Sequence, residues 1–425
     1  MRKILQKILK ILSKLVLKKY KPVIIAVTGS VGKTSTKEAI YHVLKTHFGE
    51  HRVRRNERNY NNEIGVPLTI FGLETGGRSI VRWVFRFFRV LWMLIFPVPY
   101  PSFLILEMGA DRPGDIKYLT DFVHPKIGLI TALGDVPVHV EFFKGPEEVA
   151  KEKRILVSCL TEDETAILNY DDISVRAMSE DLKAKVSFFG LSDKADIRAT
   201  NYDLDVKEDQ SELNFKLEFK GNSVPAKLIN VLGVQHLYSA LAATAVGIVF
   251  NMNLVEIVEA LKKFRPLPGR MRLIKGVKNS LIIDDSYNAA LLSMEAALDS
   301  LKVFNKRKIV VLGDMLEIGH YAPKVHEKMG EKAAEIADMI FTVGLRGKFI
   351  SDAAVKSGFP QEMVFHFDTA DQAKMLIQEK IQEDDVILVK ASQSIRLEKV
   401  IKEIMAEPER AKELLVRQDE FWLKK

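Results

Sequence analysis

Between residues 28 and 34 the chain reads Thr-Gly-Ser-Val-Gly-Lys-Thr, entered through the apolar run Val-Ile-Ile-Ala-Val of residues 23–27. The run reads as a buried strand and the loop as a phosphate cradle that begins at Thr28. Gly29 and Gly32, around Ser30 and Val31, let backbone amides approach anionic oxygens. Lys33 can reach terminal phosphates, and the Thr34 hydroxyl, followed by Ser35, can ligate Mg²⁺. A helix over 36–44 would turn its positive end toward the anion. The general P-loop has a glycine where Val27 stands, so this loop is a shorter variant.

Three further groups could act on a bound triphosphate. Glu107 closes an apolar strand over 102–108, at the strand end where α/β sheets hold ligands, and suits Mg²⁺. His139, with Glu141, lies in the loop after a third strand over 127–132, a usual place for catalytic groups. A helix opens near Pro146, with Glu147 and Glu148 in its first turn. At 100° per residue Lys153 falls in the middle of the face carrying Val149, Leu156, Val157 and Leu160. A lysine among apolar neighbours has reason to lose its charge, and a neutral amine can add CO₂ to become an anionic carbamate, a metal ligand. Asparagines at 59, 61 and 62 could tighten a loop or offer amides to a ligand.

These groups need strands and helices in alternation. Residues 161–230 read as a β-rich layer, an alanine-rich helix follows Leu232, and after a proline pair near 268 strands recur over 281–284, 308–312, 339–343 and 386–389. The expectation is a mainly parallel α/β central domain of P-loop type over 22–268 and a Rossmann-like α/β domain over 269–425.

The 425 residues are 47% hydrophobic, enough for packed cores. The single cysteine, Cys159, excludes an intrachain disulfide and a cysteine zinc cluster; with no signal-peptide pattern it suggests a reducing, cytoplasmic setting. The net charge of +7 is local: residues 1–21 carry eight Lys or Arg and no acid, so the remainder sums to −1. Nucleic acid is therefore not an expected partner. That arm reads as a basic amphipathic helix over 1–21, suited, through residues 1–20, to an anionic membrane surface or to packing on its own protein. A second such segment, 78–96 within an insertion over about 76–101, has Arg78, Arg82, Arg86 and Arg89 on one helical face among aromatic residues. Pro97, Pro99 and Pro101 argue against a spanning helix.

As an ordered set, Thr-Gly-x-x-Gly-Lys-Thr, Asn-x-Asn-Asn-x-Ile-Gly-Val-Pro, Glu-Met-Gly, Pro-Gly-Arg, Asp-Asp-Ser-Tyr-Asn-Ala and Gly-Asp-Met-x-Glu-x-Gly resemble the Mur ligase family, most closely its MurF-type branch. The resemblance implies an ATP-dependent ligase of peptidoglycan precursor synthesis that adds D-alanyl-D-alanine, or a similar amine, to a muropeptide carboxylate through an acyl phosphate. It implies two Mg²⁺ ions, held by Thr34, Glu107, His139 and carbamylated Lys153, and Arg270 on the γ-phosphate. Asn62, Asp285, Tyr287 and Asn288 would support ATP, and Asp314, Glu317, Lys390 and Ser392 would lie near the amino substrate. Where the family offers two asparagines to adenine, this chain has His236 and Ser239. Its Lys390-Ala-Ser-Gln393 departs from the usual Lys-Gly-Ser-Arg, leaving the amine open. The basic arm stands where the family's UDP-holding domain is expected, so a lipid-linked muropeptide is an alternative donor. Rival readings are a folylpolyglutamate- or cyanophycin-synthetase-like ligase and a non-catalytic, membrane-attached nucleotide binder. A monomer is expected.

Overall fold

The computed structural model describes all residues except Met1, Arg58, Asn59, Arg78, Glu208, Asp209, Lys424, Lys425 and the side chain of Phe421. The expectations for Arg78 and Asn59 lie outside the described residues.

Among the described residues fifteen strands form two sheets. The first comprises β1 (Val23–Thr28), β2 (Val53–Arg55), β3 (Phe103–Glu107), β4 (Ile127–Ile130), β5 (Thr165–Asn169), β6 (Lys185–Gly190), β7 (Ile197–Lys207), β8 (Gln210–Phe219) and β9 (Asn222–Ile229), in the order β2-β3-β1-β4-β5-β6-β7-β8-β9. It is parallel as far as β7 and antiparallel through β9. The continuous apolar runs of β1, β3 and β4 reflect burial on both faces. Ile25 and Val27 pack under the helices Lys33–Phe48 and Gln235–Val249. Ile24 and Ala26, on the opposite face, meet the helices Arg2–Tyr20 and Ile80–Ile95.

The second sheet comprises β10 (Arg272–Lys275), β11 (Leu281–Asp285), β12 (Lys308–Gly313), β13 (Met339–Val343), β14 (Val364–Phe367) and β15 (Val386–Lys390), in the order β10-β11-β15-β12-β13-β14. Only the β10–β11 pairing is antiparallel. A hydrophobic cluster joins the two sheets' layers: Val140, Val149 and Leu232 pack with Met315 and Ile318.

Two registers position chemistry. Val27 pairs with Glu107, so β3 delivers its carboxylate beside the loop that leaves β1. Asp285 pairs with Lys390, bringing two opposite charges together at neighbouring strand ends.

Candidate active site

The helix after β1 starts at Lys33, earlier than expected, because Gly32 takes the left-handed conformation (φ 86°) directly before it. Gly29, at φ 146°, lies so close to Thr131 that a Cβ would collide with that hydroxyl. The loop is stitched to β4's exit by Ser30 N–H and Val31 N–H, which donate to the Ala132 carbonyl at 2.7 and 3.1 Å. Thr28 donates its hydroxyl to the Met108 carbonyl (2.9 Å) and so ties the ends of β1 and β3 together. Its contribution to a nucleotide is therefore through the loop it anchors. The buried Ser30 hydroxyl has no protein partner, as expected of an oxygen placed for a ligand.

Lys33 donates to the Gly29 and Ser30 carbonyls at 2.8 and 3.3 Å. Burial pushes its ammonium below the ordinary lysine value, while Glu107 opposes the shift and Arg270 adds to it. A bound phosphate would restore the charge. Glu107 accepts from Asn61 Nδ2 at 3.2 Å and lies 3.9 Å from the buried Lys37 ammonium. Asn62 differs from the expectation: its side-chain oxygen accepts from the Ile64 and Gly65 amides and shapes the turn into the helix Gly65–Phe71. The amide that faces the site belongs to Asn61.

Lys153 lies on the helix Pro146–Ser158 and is 1% exposed. Burial, reinforced by the charge of Lys33, brings its ammonium down to about 7. Beside it in sequence, buried Glu152 accepts from the Gly114 and Ile116 amides at 2.9 and 2.8 Å. Asp111 is the group the sequence reading missed. It attracts both Lys33 and Lys153 and lies 3.4 Å from His139 Nε2. It follows Glu107 in the Glu-Met-Gly-Ala-Asp stretch, so its position was readable although its partners were not.

The second sheet reaches the same place through Arg270 and through the loop carrying Glu317, whose neighbour Gly319 also donates its amide to Glu141 at 3.2 Å. Arg270 Nη2 lies 3.5 Å from the Thr34 hydroxyl, and its guanidinium stacks 4.0 Å from the centre of the Tyr287 ring. The turn carrying it depends on Gly269, at φ 71°, where a Cβ would come within 2.9 Å of the Tyr287 nitrogen. Asp284 accepts from the Gly269 amide (2.9 Å) and from Ser286; burial raises its carboxyl to about 6. Arg417, also missed, donates to the Ser286 carbonyl at 3.2 Å and to Glu398 at 2.9 Å, fixing the far side of the turn. Glu317 itself meets the histidine: its Oε2 lies 2.8 Å from His139 Nδ1. His139 holds its carboxyl below the ordinary value.

The expected amino-substrate residues separate. Glu317 belongs with His139. Lys390 forms a buried 2.5 Å ion pair with Asp285 and donates to the Asn288 carbonyl at 2.9 Å; burial pushes the acid up and the amine down, and their attraction opposes both shifts. Asp314 accepts from the Arg346 and Gly347 amides at 2.9 and 2.8 Å, at the start of the helix Gly347–Lys356. Ser392 accepts from the Leu316 amide at 2.9 Å. These last two brace the loops at the strand ends. His236 is buried with both ring nitrogens unpaired, and burial followed by the charge of Arg270 lowers it to about 4. Ser239 shares a long 3.4 Å hydrogen bond with Thr36.

Loop, carboxylate, histidine, buried lysine and a cross-sheet arginine converge where the two sheets meet, the arrangement of an ATP-dependent ligase. The chain belongs to the Mur ligase family: the Mur ligase middle domain matches residues 27–81 and 96–247, and the Mur ligase glutamate ligase domain matches 269–393. It is 31% identical over 383 residues to the UDP-N-acetylmuramoyl-tripeptide–D-alanyl-D-alanine ligase of Escherichia coli K12, covering 89% of this chain and 76% of that protein. The structure of MurF from Acinetobacter baumannii superposes with a TM-score of 0.76 at 25% identity, covering 93% of this chain and 79% of that one. MurF ligase from Thermotoga maritima, solved in complex with ADP, has the same TM-score at 23% identity, covers 95% and 84%, and shares the fold.

Proposed function

We infer that the protein is an ATP-dependent ligase of peptidoglycan precursor synthesis, joining D-alanyl-D-alanine or a similar amine to a muropeptide carboxylate. The observation that carries this reading is the approach of Arg270 to Thr34 across the two bodies, residues 22–268 and 269–425, with Lys33, Glu107 and Lys153 around the same loop. The substrate carboxylate attacks the γ-phosphorus of ATP, the bond to the bridging oxygen breaks, and ADP leaves. The amine then attacks the acyl carbon, loses a proton, and expels inorganic phosphate.

Phosphoryl transfer needs positioning and charge neutralisation more than covalent help. Lys33 and the first-turn amides of the helix Lys33–Phe48 hold the phosphates, and Arg270, seated over Tyr287, meets the charge that builds on the transferred group. Glu317 and Asp111 fix the His139 ring. The residues fit Mg²⁺: Thr34 and Glu107 offer hard oxygen donors, and among the described residues no three His, Cys, Asp or Glu side chains form a closed cage. That suits an ion which keeps waters and shares phosphate oxygens. Thr34 and Glu107 would hold one Mg²⁺, and His139 with carbamylated Lys153 a second; bound there, the ions would neutralise the phosphates. His236 and Ser239 line the expected adenine side.

We take the enzyme to act as a monomer at an anionic membrane surface, through the helices Arg2–Tyr20 and Ile80–Ile95. Among the described residues no helix is long and apolar enough to cross a bilayer.

The test is phosphate release from Mg-ATP with UDP-N-acetylmuramoyl-tripeptide, with and without D-alanyl-D-alanine, following product mass. The reading requires dependence on both substrates and a mass gain of the dipeptide less water. ATP turnover indifferent to every amine would overturn it.

A further inference from the structure

The helices Arg2–Tyr20 and Ile80–Ile95 are neighbours joined at their C-terminal ends. Lys19 Nζ donates to the Met93, Leu94 and Phe96 carbonyls at 2.8, 3.1 and 2.8 Å, and the Tyr20 hydroxyl donates to the Met93 carbonyl at 2.8 Å. The Lys19 charge also suits the carbonyl end of the partner helix.

Each helix has one apolar face too many for a helix that merely packs on its own protein. In Arg2–Tyr20 the face with Leu9, Ser13 and Val16 is buried against the sheet. About a third of a turn away, Ile4, Ile8, Ile11 and Leu15 form a second stripe at i, i+4, i+7 and i+11, with Ile4 64% and Ile11 59% exposed. Lys3, Lys7, Lys14 and Lys18 border that stripe and are themselves exposed. In Ile80–Ile95, Val90 and Met93 face inward. Outward, Phe85, Phe88, Trp92 and Ile95 form a stripe at i, i+3, i+7 and i+10, with Phe85 71% and Trp92 57% exposed. Arg82 and Arg89 flank this stripe on one side.

Exposed aromatic and aliphatic stripes on two adjoining helices make a patch that water does not tolerate without a function. The family's middle-domain match begins at 27 and omits 82–95, so the first helix and all but the first two residues of the second lie outside it. The bordering charges are of one sign, since residues 1–21 and 78–96 contain no acid. Two copies meeting through this patch would bring these cations together, whereas anionic headgroups would neutralise them.

We propose that the two helices form one interfacial seat for an anionic phospholipid bilayer, burying both apolar stripes in the outer acyl layer with the bordering lysines and arginines at phosphate level. This deepens the peripheral-membrane part of the proposed function. The seat also orients the enzyme. Arg2 and Gln6 contact Glu63 at 3.1 and 2.7 Å, two residues from the Asn61 that bonds Glu107. Tyr20, at the other end, precedes the start of β1. The first helix therefore runs along the sheet from its catalytic edge to its base, and a bilayer beneath it brings that edge to the headgroup layer.

The test uses the full chain with vesicles of phosphatidylcholine alone or with about 30 mol% phosphatidylglycerol. The expected results are co-sedimentation with the anionic vesicles only, a blue-shifted Trp92 emission, and quenching by brominated acyl chains, with Trp92→Phe identifying the reporter. Phe85→Ser with Phe88→Ser, both exposed and harmless to the fold, should abolish quenching. Lys7→Gln with Lys14→Gln should lower the partition coefficient about 25-fold, about fivefold per charge. No sedimentation, binding indifferent to these variants, or a vesicle-free dimer that buries Trp92 would overturn the proposal. Turnover of soluble substrates is followed in the same samples. Wild-type enzyme that turns over soluble substrates without binding the anionic vesicles refutes the seat alone, and wild-type enzyme that binds them without turnover refutes the ligase reading alone.

Discussion

Replacing Lys153 by methionine should make the protein more stable and inactive at once. The side chain is 1% exposed and its ammonium titrates at about 7 instead of 10.5. At pH 7 about half of the folded molecules carry a neutral amine there, against roughly one in three thousand for an unperturbed lysine. Because the folded value is lowered, the unfolded chain binds more protons between about pH 7 and 10.5, and stability rises with pH across that window. The cost to the wild type is about 4 kcal/mol at pH 7, about 2 at pH 9, and close to nothing above 10.5. Lys153→Met keeps the volume and removes the cost, so its urea midpoint at pH 7 should exceed that of the wild type, with the gap closing as pH rises. The comparison belongs in CO₂-free buffer. Adding ¹³C-bicarbonate should narrow the gap, because the neutral amine takes up CO₂, releases a proton and becomes a carbamate; a carbamate resonance should appear in the wild type only. A variant no more stable than wild type at pH 7, or a gap that widens with pH, would refute the claim that this lysine is held against its charge.

Arg270→Ala should lower kcat about 10³-fold with an unchanged melting temperature, and Arg270→Lys should not restore it, because stacking on Tyr287 needs the planar guanidinium. Glu107→Gln should raise the Mg²⁺ concentration for half-maximal phosphate release about 10-fold or more, measured by titration into metal-free enzyme. Glu317→Ala should enlarge the radius of gyration seen by small-angle scattering and raise the KM for D-alanyl-D-alanine. In the wild type that contact, made by a carboxyl held low by His139, should persist at neutral pH and fail only below the ordinary carboxylate range. Asp314→Ala should cost about 1–2 kcal/mol by urea unfolding through loss of a helix cap, while Asp314→Asn keeps the accepting oxygen and most of the stability.

What could be read beforehand was what local pattern encodes. The β1 run, the glycine-framed loop and the helical phase of Lys153 are each contained within about a dozen residues, and the structure has them where the pattern puts them. The Arg2–Tyr20 helix also formed as its periodicity required, but the choice between packing and exposure was not a choice: different faces of it do each. Contacts between distant segments were not legible. Nothing in the sequence around His139 announces Glu317, 178 residues later, and nothing near Lys153 names Asp111 as its counter-charge. Polar residues were the least readable. Asn61 and Asn62 are neighbours of the same type, yet one faces Glu107 and the other closes a turn; nothing around Asp314 in the sequence names the helix start whose amides it accepts.

Arg270 is the second residue after the proline that ends the connection between the two sheets, whereas Glu317 stands on a loop beyond β12. If the second body pivots at that connection, the arginine is close to the axis and Glu317 is out on the lever arm. A rotation large enough to part Glu317 from His139 shifts Arg270 only slightly from Thr34. Such a pivot would open the histidine side of the site and leave the arginine over the phosphate loop, so the two groups differ in how far they can part.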